Sequence, residues 1–168
     1  MAFFFVFAPN KMLPEPSDSN RFHAAHAMLL LDSYHKLTGR HLLPPGRPPD
    51  ANARELYFAP FVVLSHDTAA DPVFTYANLA AQTLFAMRWA EIVGLHSRLS
   101  AEPLAREERQ RLLELVTRQG YMDDYRGVRI ARTGKRFEII HATVWNLTGD
   151  SGERLGQAAT FAEWRNLG

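Results

Sequence analysis

Four groupings of titratable side chains could support chemistry in this 168-residue sequence. His66-Asp67 sets an imidazole beside a carboxylate, the pattern of a general base and its orienting acid, and Asp123-Asp124 adds two further carboxylates. His23 and His26 have helix-neighbour spacing and could share a metal ion, although no third ligand is fixed beside them. His141 stands in an alternating run, where an inward imidazole would ligate haem iron, donate to a ligand or titrate near neutral pH. Each grouping also has a plainer reading. Asp67 would cap the turn before Asp71-Pro72, Asp123 and Asp124 would sit at a strand edge, His23 and His26 would lie on a solvated helix face, and His141 would be a hydrogen-bonded core histidine.

The sequence contains no cysteine, which excludes disulfides, thiolate metal sites, a cysteine nucleophile and a flavin-cysteinyl adduct. It also lacks a nucleophile elbow, a phosphate loop and a zinc signature, so a non-enzymatic role is expected. With 46% hydrophobic and 22% charged residues, the chain reads as one soluble globular domain with an extension. A net charge of +1 gives no global attraction to nucleic acid or an anionic membrane, and neither partner is expected. Arg106, Arg109 and Arg111 alternate with Glu107, Glu108 and Glu114, the composition of a solvated, salt-bridged helix face. Arg126, Arg129, Arg132, Lys135 and Arg136 form a denser cluster, suited either to an acidic or phosphate partner or to protecting strand edges.

These groups must be positioned by elements that the spacing outlines. Residues 1–20 read as a flexible arm. The run Phe3–Phe7 is too short for a signal-peptide core or a membrane span, residues 1–11 read as an upstream start before Met12, and a cytoplasmic location is expected. Residues 21–40 form an amphipathic helix ending at Gly39, with Ala27, Leu30, Leu31, Tyr34 and Leu37 in one apolar stripe. Residues 41–55 read as a stiff Pro-rich linker, and residues 56–168 as the domain proper. Within it, strands at 61–64 and 73–76 precede short helices near 80–85 and 89–93, a long helix over 104–119 ending at Gly120, and strands over 121–131, 136–147 and 155–161. Strict alternation in the middle strand sends Phe137, Ile139, His141, Thr143 and Trp145 to the cavity face and Glu138, Ile140, Ala142, Val144 and Asn146 to the other.

Several segments carry a family resemblance: Tyr76-Ala77-Asn78-Leu79-Ala80-Ala81, Leu84-Phe85, Ser97-Arg98-Leu99-Ser100-Ala101-Glu102-Pro103, Arg118-Gln119-Gly120-Tyr121, Gly134-Lys135-Arg136-Phe137, Val144-Trp145-Asn146 and Gly156-Gln157-Ala158-Ala159-Thr160-Phe161. The chain resembles bacterial MEKHLA-type proteins, relatives of PAS domains, over most of its length, including the helix around Ser33-Tyr34 and Leu37-Thr38-Gly39-Arg40. The resemblance implies an α+β fold: a PAS-like five-stranded antiparallel sheet with helices on one face, preceded by an N-terminal helix. It also implies a sensory or regulatory module that dimerises through the helix ahead of its core, where the stripe Ala27, Leu30, Leu31, Tyr34 and Leu37 lies. Pairing with a second subunit is preferred over packing on the chain's own sheet, because the linker would detach the helix and an uncovered stripe is costly.

Flavin-binding light-sensing PAS domains supply a further comparison. Gly94-Leu95-His96-Ser97-Arg98 matches their photoactive motif with serine at the cysteine position, leaving Arg98 as an anion contact, while Arg129 and Ile139 stand where asparagines would grip the flavin. Flavin and haem are therefore not favoured, since a site needs its specific polar groups as well as a cavity. Candidates to line a ligand cavity are His141, Ile139, Thr143, Trp145, Gln157, Ser97, Arg98 and Arg129. The expected function is a sensory module that binds a small ligand in its core and signals through protein contacts or as a homodimer. A ligand-free interaction module and a small cavity enzyme are the alternatives.

Overall fold

A computed structural model describes residues 13–168; the Phe3–Phe7 run and the start at Met12 lie outside the described residues. Helix α1 (Ala24–Thr38) begins later than its periodicity suggests, because Arg21, Phe22 and His23 take left-handed backbone angles with φ of 55°, 51° and 55°. It ends where expected: Gly39 at φ 73° donates its N–H to the His35 carbonyl, a conformation that glycine adopts without a Cβ penalty.

The Pro-rich stretch is not a linker throughout. From Pro49 it folds into α2 (Pro49–Tyr57), with proline in the first turn, where its missing N–H forfeits no helical bond. Ala53, Leu56 and Tyr57 bury its inner side, and α2 packs on α1. The expected detachment of α1 therefore does not occur.

The fold is α+β with an antiparallel sheet of six strands: β1 (Val62–His66), β2 (Phe74–Ala77), β3 (Tyr121–Ile130), β4 (Arg136–Thr148), β5 (Arg154–Phe161) and β6 (Glu163–Leu167). Five of them lie in the order β2-β1-β5-β4-β3. Beyond Ala162 the chain continues as β6 along the first half of β4, pairing Arg136 with Leu167 and Ile140 with Glu163, a strand that the sequence reading does not foresee. Helices α3 (Leu79–Phe85), α4 (Trp89–Ile92) and α5 (Pro103–Gln119) lie between β2 and β3 in the chain. Asn78 joins three elements: its Oδ1 accepts from Val63 N at 3.0 Å and Ala81 N at 3.1 Å, and its Nδ2 donates to Leu56 O at 3.1 Å and Phe61 O at 2.8 Å. A fully buried amide is tolerated here because every hydrogen-bonding direction is used.

Helices α3 and α5 lie on one face, where Phe85 and Arg109 line the same cavity, and the preceding helix α1 covers the other. On one face α1 lies against β4, with Tyr34 edge-on to Trp145 at 5.0 Å between ring centres. Ala27 and Leu30 are fully buried, and Leu31 and Tyr34 nearly so, which shows the stripe spent within the protomer. Leu37 is half-buried at the same interface. On the opposite face, α5 crosses a cavity.

Two compensating irregularities divide β4. Between the pairs Met122↔Val144 and Tyr125↔Ala142, β3 carries an extra residue; between Tyr125↔Ala142 and Gly127↔Ile139, β4 does. Asp124 and His141, at φ 56° and 53°, are the left-handed residues of these β-bulges. A one-residue insertion exchanges the faces of everything beyond it. Phe137 and Ile139 thus share their face with Ala142, Val144 and Asn146, while Thr143 and Trp145 turn toward α1.

Candidate functional site

The cavity lies between α5 and the sheet and has a volume of about 60 Å³. Phe85, Leu112, Val116, Ile139 and Val144 provide an apolar wall. His66, Arg109, Tyr125, Arg129 and Gln157 provide the polar groups. Four elements deliver the five polar groups: His66 comes from the end of β1, Arg109 from the second turn of α5, Tyr125 and Arg129 from β3, and Gln157 from β5 directly opposite His66. Gly156 permits that approach, since a Cβ there would run into the His66 carbonyl oxygen.

Gln157, only 1% exposed, donates from Nε2 to Thr117 Oγ1 at 2.8 Å, Leu113 O at 3.0 Å and Asn146 Oδ1 at 3.0 Å. Its Oε1 has no hydrogen-bond partner among the described residues. Asn146 in turn donates to Val116 O at 3.0 Å, so two amides from adjacent strands hold the C-terminal half of α5. His66 donates from Nδ1 to the Asp67 carbonyl at 2.8 Å, which leaves its buried Nε2 without a partner among the described residues. Burial holds its pKa down at about 4, so this imidazole is neutral near pH 7.

Arg109 and Arg129 are 7% and 8% exposed. Arg129 donates to Val128 O at 2.8 Å and to the Tyr125 hydroxyl at 3.1 Å, with its guanidinium over the Tyr125 ring. None of the ion pairs among the described residues includes either arginine. Residues 1–12 contain no Asp or Glu to supply one. Burial first, and then the neighbouring charge of Arg129, lowers the Arg109 pKa to about 10, still well above neutrality. Two buried cations therefore face one cavity without an acidic partner.

The other candidates separate. His141 is not inward: its side chain is 61% exposed and pairs with Asp124, because the bulge on which it sits turns it to solvent. Thr143 lies on the α1 face and donates to Asp123 at 2.8 Å, and Trp145 packs on Tyr34. Ile139 and Arg129 line the cavity. Ser97 is fully buried but outside the cavity lining, and Arg98 is half-exposed and bound to Asp71 at 3.2 Å, so it is no anion contact there. His66 and Asp67 do not form a base and orienter; the Asp67 carboxylate accepts from Ala69 N and Val73 N and shapes the turn. His23 binds Pro14 O at 2.6 Å and His26 binds Ser65 Oγ at 2.9 Å, and no group of three or more His, Asp or Glu among the described residues could hold a metal. The basic hairpin cluster is largely neutralised, since Arg126 pairs with Glu138, Arg132 with Glu91 and Arg136 with Glu102.

Arg109 and Tyr125 are cavity residues that the sequence reading does not single out, and His66 is expected there only as a catalytic base. The neighbours Arg106, Glu107, Glu108 and Arg111 concealed Arg109, yet Arg109, Leu112, Leu113 and Val116 recur at helical spacing and mark it as a member of the buried stripe.

The family model for the MEKHLA domain matches residues 24–166. The chain belongs to the MEKHLA domain family. No curated protein matches it. Among solved structures, this MEKHLA domain is similar to the PAS domain of a protein from Colwellia psychrerythraea, at 14% identity and a TM-score of 0.59 over 70% of this chain and 94% of that one. It is also similar to an RNA-binding light-oxygen-voltage receptor, at 18% identity and a TM-score of 0.58; 71% of this chain is covered but only 33% of the receptor. A light-oxygen-voltage domain studied with a flavin analogue matches at 16% identity and a TM-score of 0.52 over 70% of this chain and 85% of that one. These likenesses establish the PAS fold.

A flavin does not fit the MEKHLA cavity. About 60 Å³ is far below the roughly 300–1,000 Å³ of sites for molecules of that size. Haem fails on the same volume, and His141 is on the surface.

Proposed function

We propose that this MEKHLA domain is a PAS-like sensory or regulatory module that binds a small ligand in its core and signals through protein contacts or dimerisation, without catalysis. The observation that supports this reading is a core cavity onto which the buried Arg109 side chain faces with no hydrogen-bond or ion-pair partner among the described residues. Leaving a buried charged donor without a partner is costly, and a ligand that pairs with it removes that cost. The route outward runs from Gln157 and Asn146 to α5, and through β4 to α1, which is tied to the sheet by Ser33 Oγ at Thr148 and by Arg40 at Asp123. No helix of the described residues is long and apolar enough to cross a membrane, and a cytoplasmic setting belongs to the same reading.

Native mass spectrometry on protein purified without denaturation tests it, since it reports bound small molecules and subunit number together. The expected result is a retained small mass, with a change in subunit number or partner binding on its removal. A bare chain under conditions that preserve the fold overturns ligand binding. It leaves the second reading, a ligand-free interaction module, which the small cavity volume favours.

A further inference from the structure

We propose that the cavity ligand is a compact oxyanion, a carboxylate or phosphate head, gripped between Arg109 of α5 and Arg129 of β3; this rests on the ligand-binding reading above. Both side chains are more than nine-tenths buried, both line the same cavity, and neither has an acidic partner among the described residues. A buried charge is normally paired or hydrogen-bonded throughout, because removing it from water is costly. Two of the same sign also repel each other. An oxyanion between them offsets both penalties, and the planar guanidinium fork matches carboxylate and phosphate oxygens two at a time.

The rest of the wall narrows the class. Arg129 is already oriented by Val128 O and the Tyr125 hydroxyl, which fixes the plane of its fork before a ligand arrives. Arg109 has no such hydrogen bond among the described residues, so the anion would be its first partner and would draw α5 onto the sheet. The cavity is several times the ~10–15 Å³ that a single water molecule needs, which admits a head group of a few heavy atoms. Leu112, Val116, Ile139 and Val144 beside the arginines would accept a short apolar tail, which a carboxylate carries and free phosphate does not.

The test compares thermal unfolding of the full chain with sodium propionate, inorganic phosphate or sodium chloride at matched ionic strength, in the wild type, Arg109→Met, Arg109→Lys and Arg129→Met. Native mass spectrometry of the wild type and Arg109→Met as purified accompanies it. The expected result is a rise in wild-type melting temperature with propionate or phosphate beyond that with chloride, and an apparent Kd at least tenfold weaker in both Met variants. A response to propionate identifies a carboxylate head, and a response to phosphate alone identifies a phosphate head. Without ligand, Arg109→Met should melt at or above the wild type, since it removes an unpaired buried charge, and Arg109→Lys should bind more weakly for loss of the fork. If Arg109→Met melts lower while Arg109→Lys binds as the wild type does, the arginine is structural and the proposal fails. A neutral molecule retained equally by wild type and Arg109→Met, with no anion response, overturns the oxyanion but leaves ligand binding standing. No retained molecule and no response overturns both.

Discussion

The two faces of the β4 sheet use arginine in opposite ways. On the α1 side, Arg40 meets Asp123 through both guanidinium nitrogens at 2.6 and 3.1 Å, and Thr143 supports the same carboxylate. That pair is half-exposed, closes the C-terminal end of α1 against β3, and has every charge answered. On the α5 side, Arg109 and Arg129 are almost wholly buried, and neither forms an ion pair with an acid among the described residues. On the first face the arginine charge is answered from within the chain, and on the second two arginine charges are not. A protein that only needed α5 docked would fill the Arg109 position with leucine, as it does at Leu112 and Leu113.

The largest effect should come from emptying the completed face. Trp145 is fully buried under Tyr34, and Trp145→Ala should cost about 3–5 kcal/mol by cavity formation, read as a lower denaturant midpoint. A loss below about 1 kcal/mol would mean that α1 is not held through this contact.

Acid should strike both faces next. His26, against Ser65 on the α1 side, and His66, in the cavity wall, are each held down at about 4 by burial, from an ordinary 6.5. Between those values the unfolded chain binds protons that the folded chain refuses. Stability should therefore be level above pH 7 and fall as pH drops from about 6.5 toward 4, by on the order of 3 kcal/mol per histidine. Denaturant titrations of His26→Gln and His66→Gln across this range should each remove one share of the slope. An unchanged slope in both would show that neither imidazole is buried in its neutral form.

The smallest effect belongs to the ion pair itself. Asp123→Asn should lower stability by about 1 kcal/mol or less, because a half-exposed pair gains little over its hydrated charges. Its contrast with a stabilising Arg109→Met would be the direct measure of how differently the faces treat charge.

What was legible in the sequence follows local physics. Gly39 and Gly120 mark helix ends, the alternating runs mark five strands, and the Ala27 to Leu37 stripe is buried. The direction in which the stripe faces was not legible, because the prolines suggested detachment while Pro48-Pro49-Asp50 also opens a helix that brings α1 back. Strand β6, with four of five residues exposed, has too little apolar pattern to be seen. The cavity was only half legible. Ile139, Arg129 and Gln157 fall on it and Ser97 and Arg98 do not; His141, Thr143 and Trp145 also miss it, because the left-handed bulge residues, Asp124 and His141, are not glycines that would announce a change of phase.

Those paired bulges have a consequence for reading relatives of this chain. Since β3 and β4 each gain one residue, the ladder closes with matched lengths on its two strands. Phase, rather than length, is what changes: odd-numbered residues of β4 serve the cavity before His141, and even-numbered ones after it. A comparison that carries a period of two through the whole strand would assign half the pocket to the wrong side. Cavity residues of a related sequence are therefore best counted outward from its own equivalent of His141, separately in each direction.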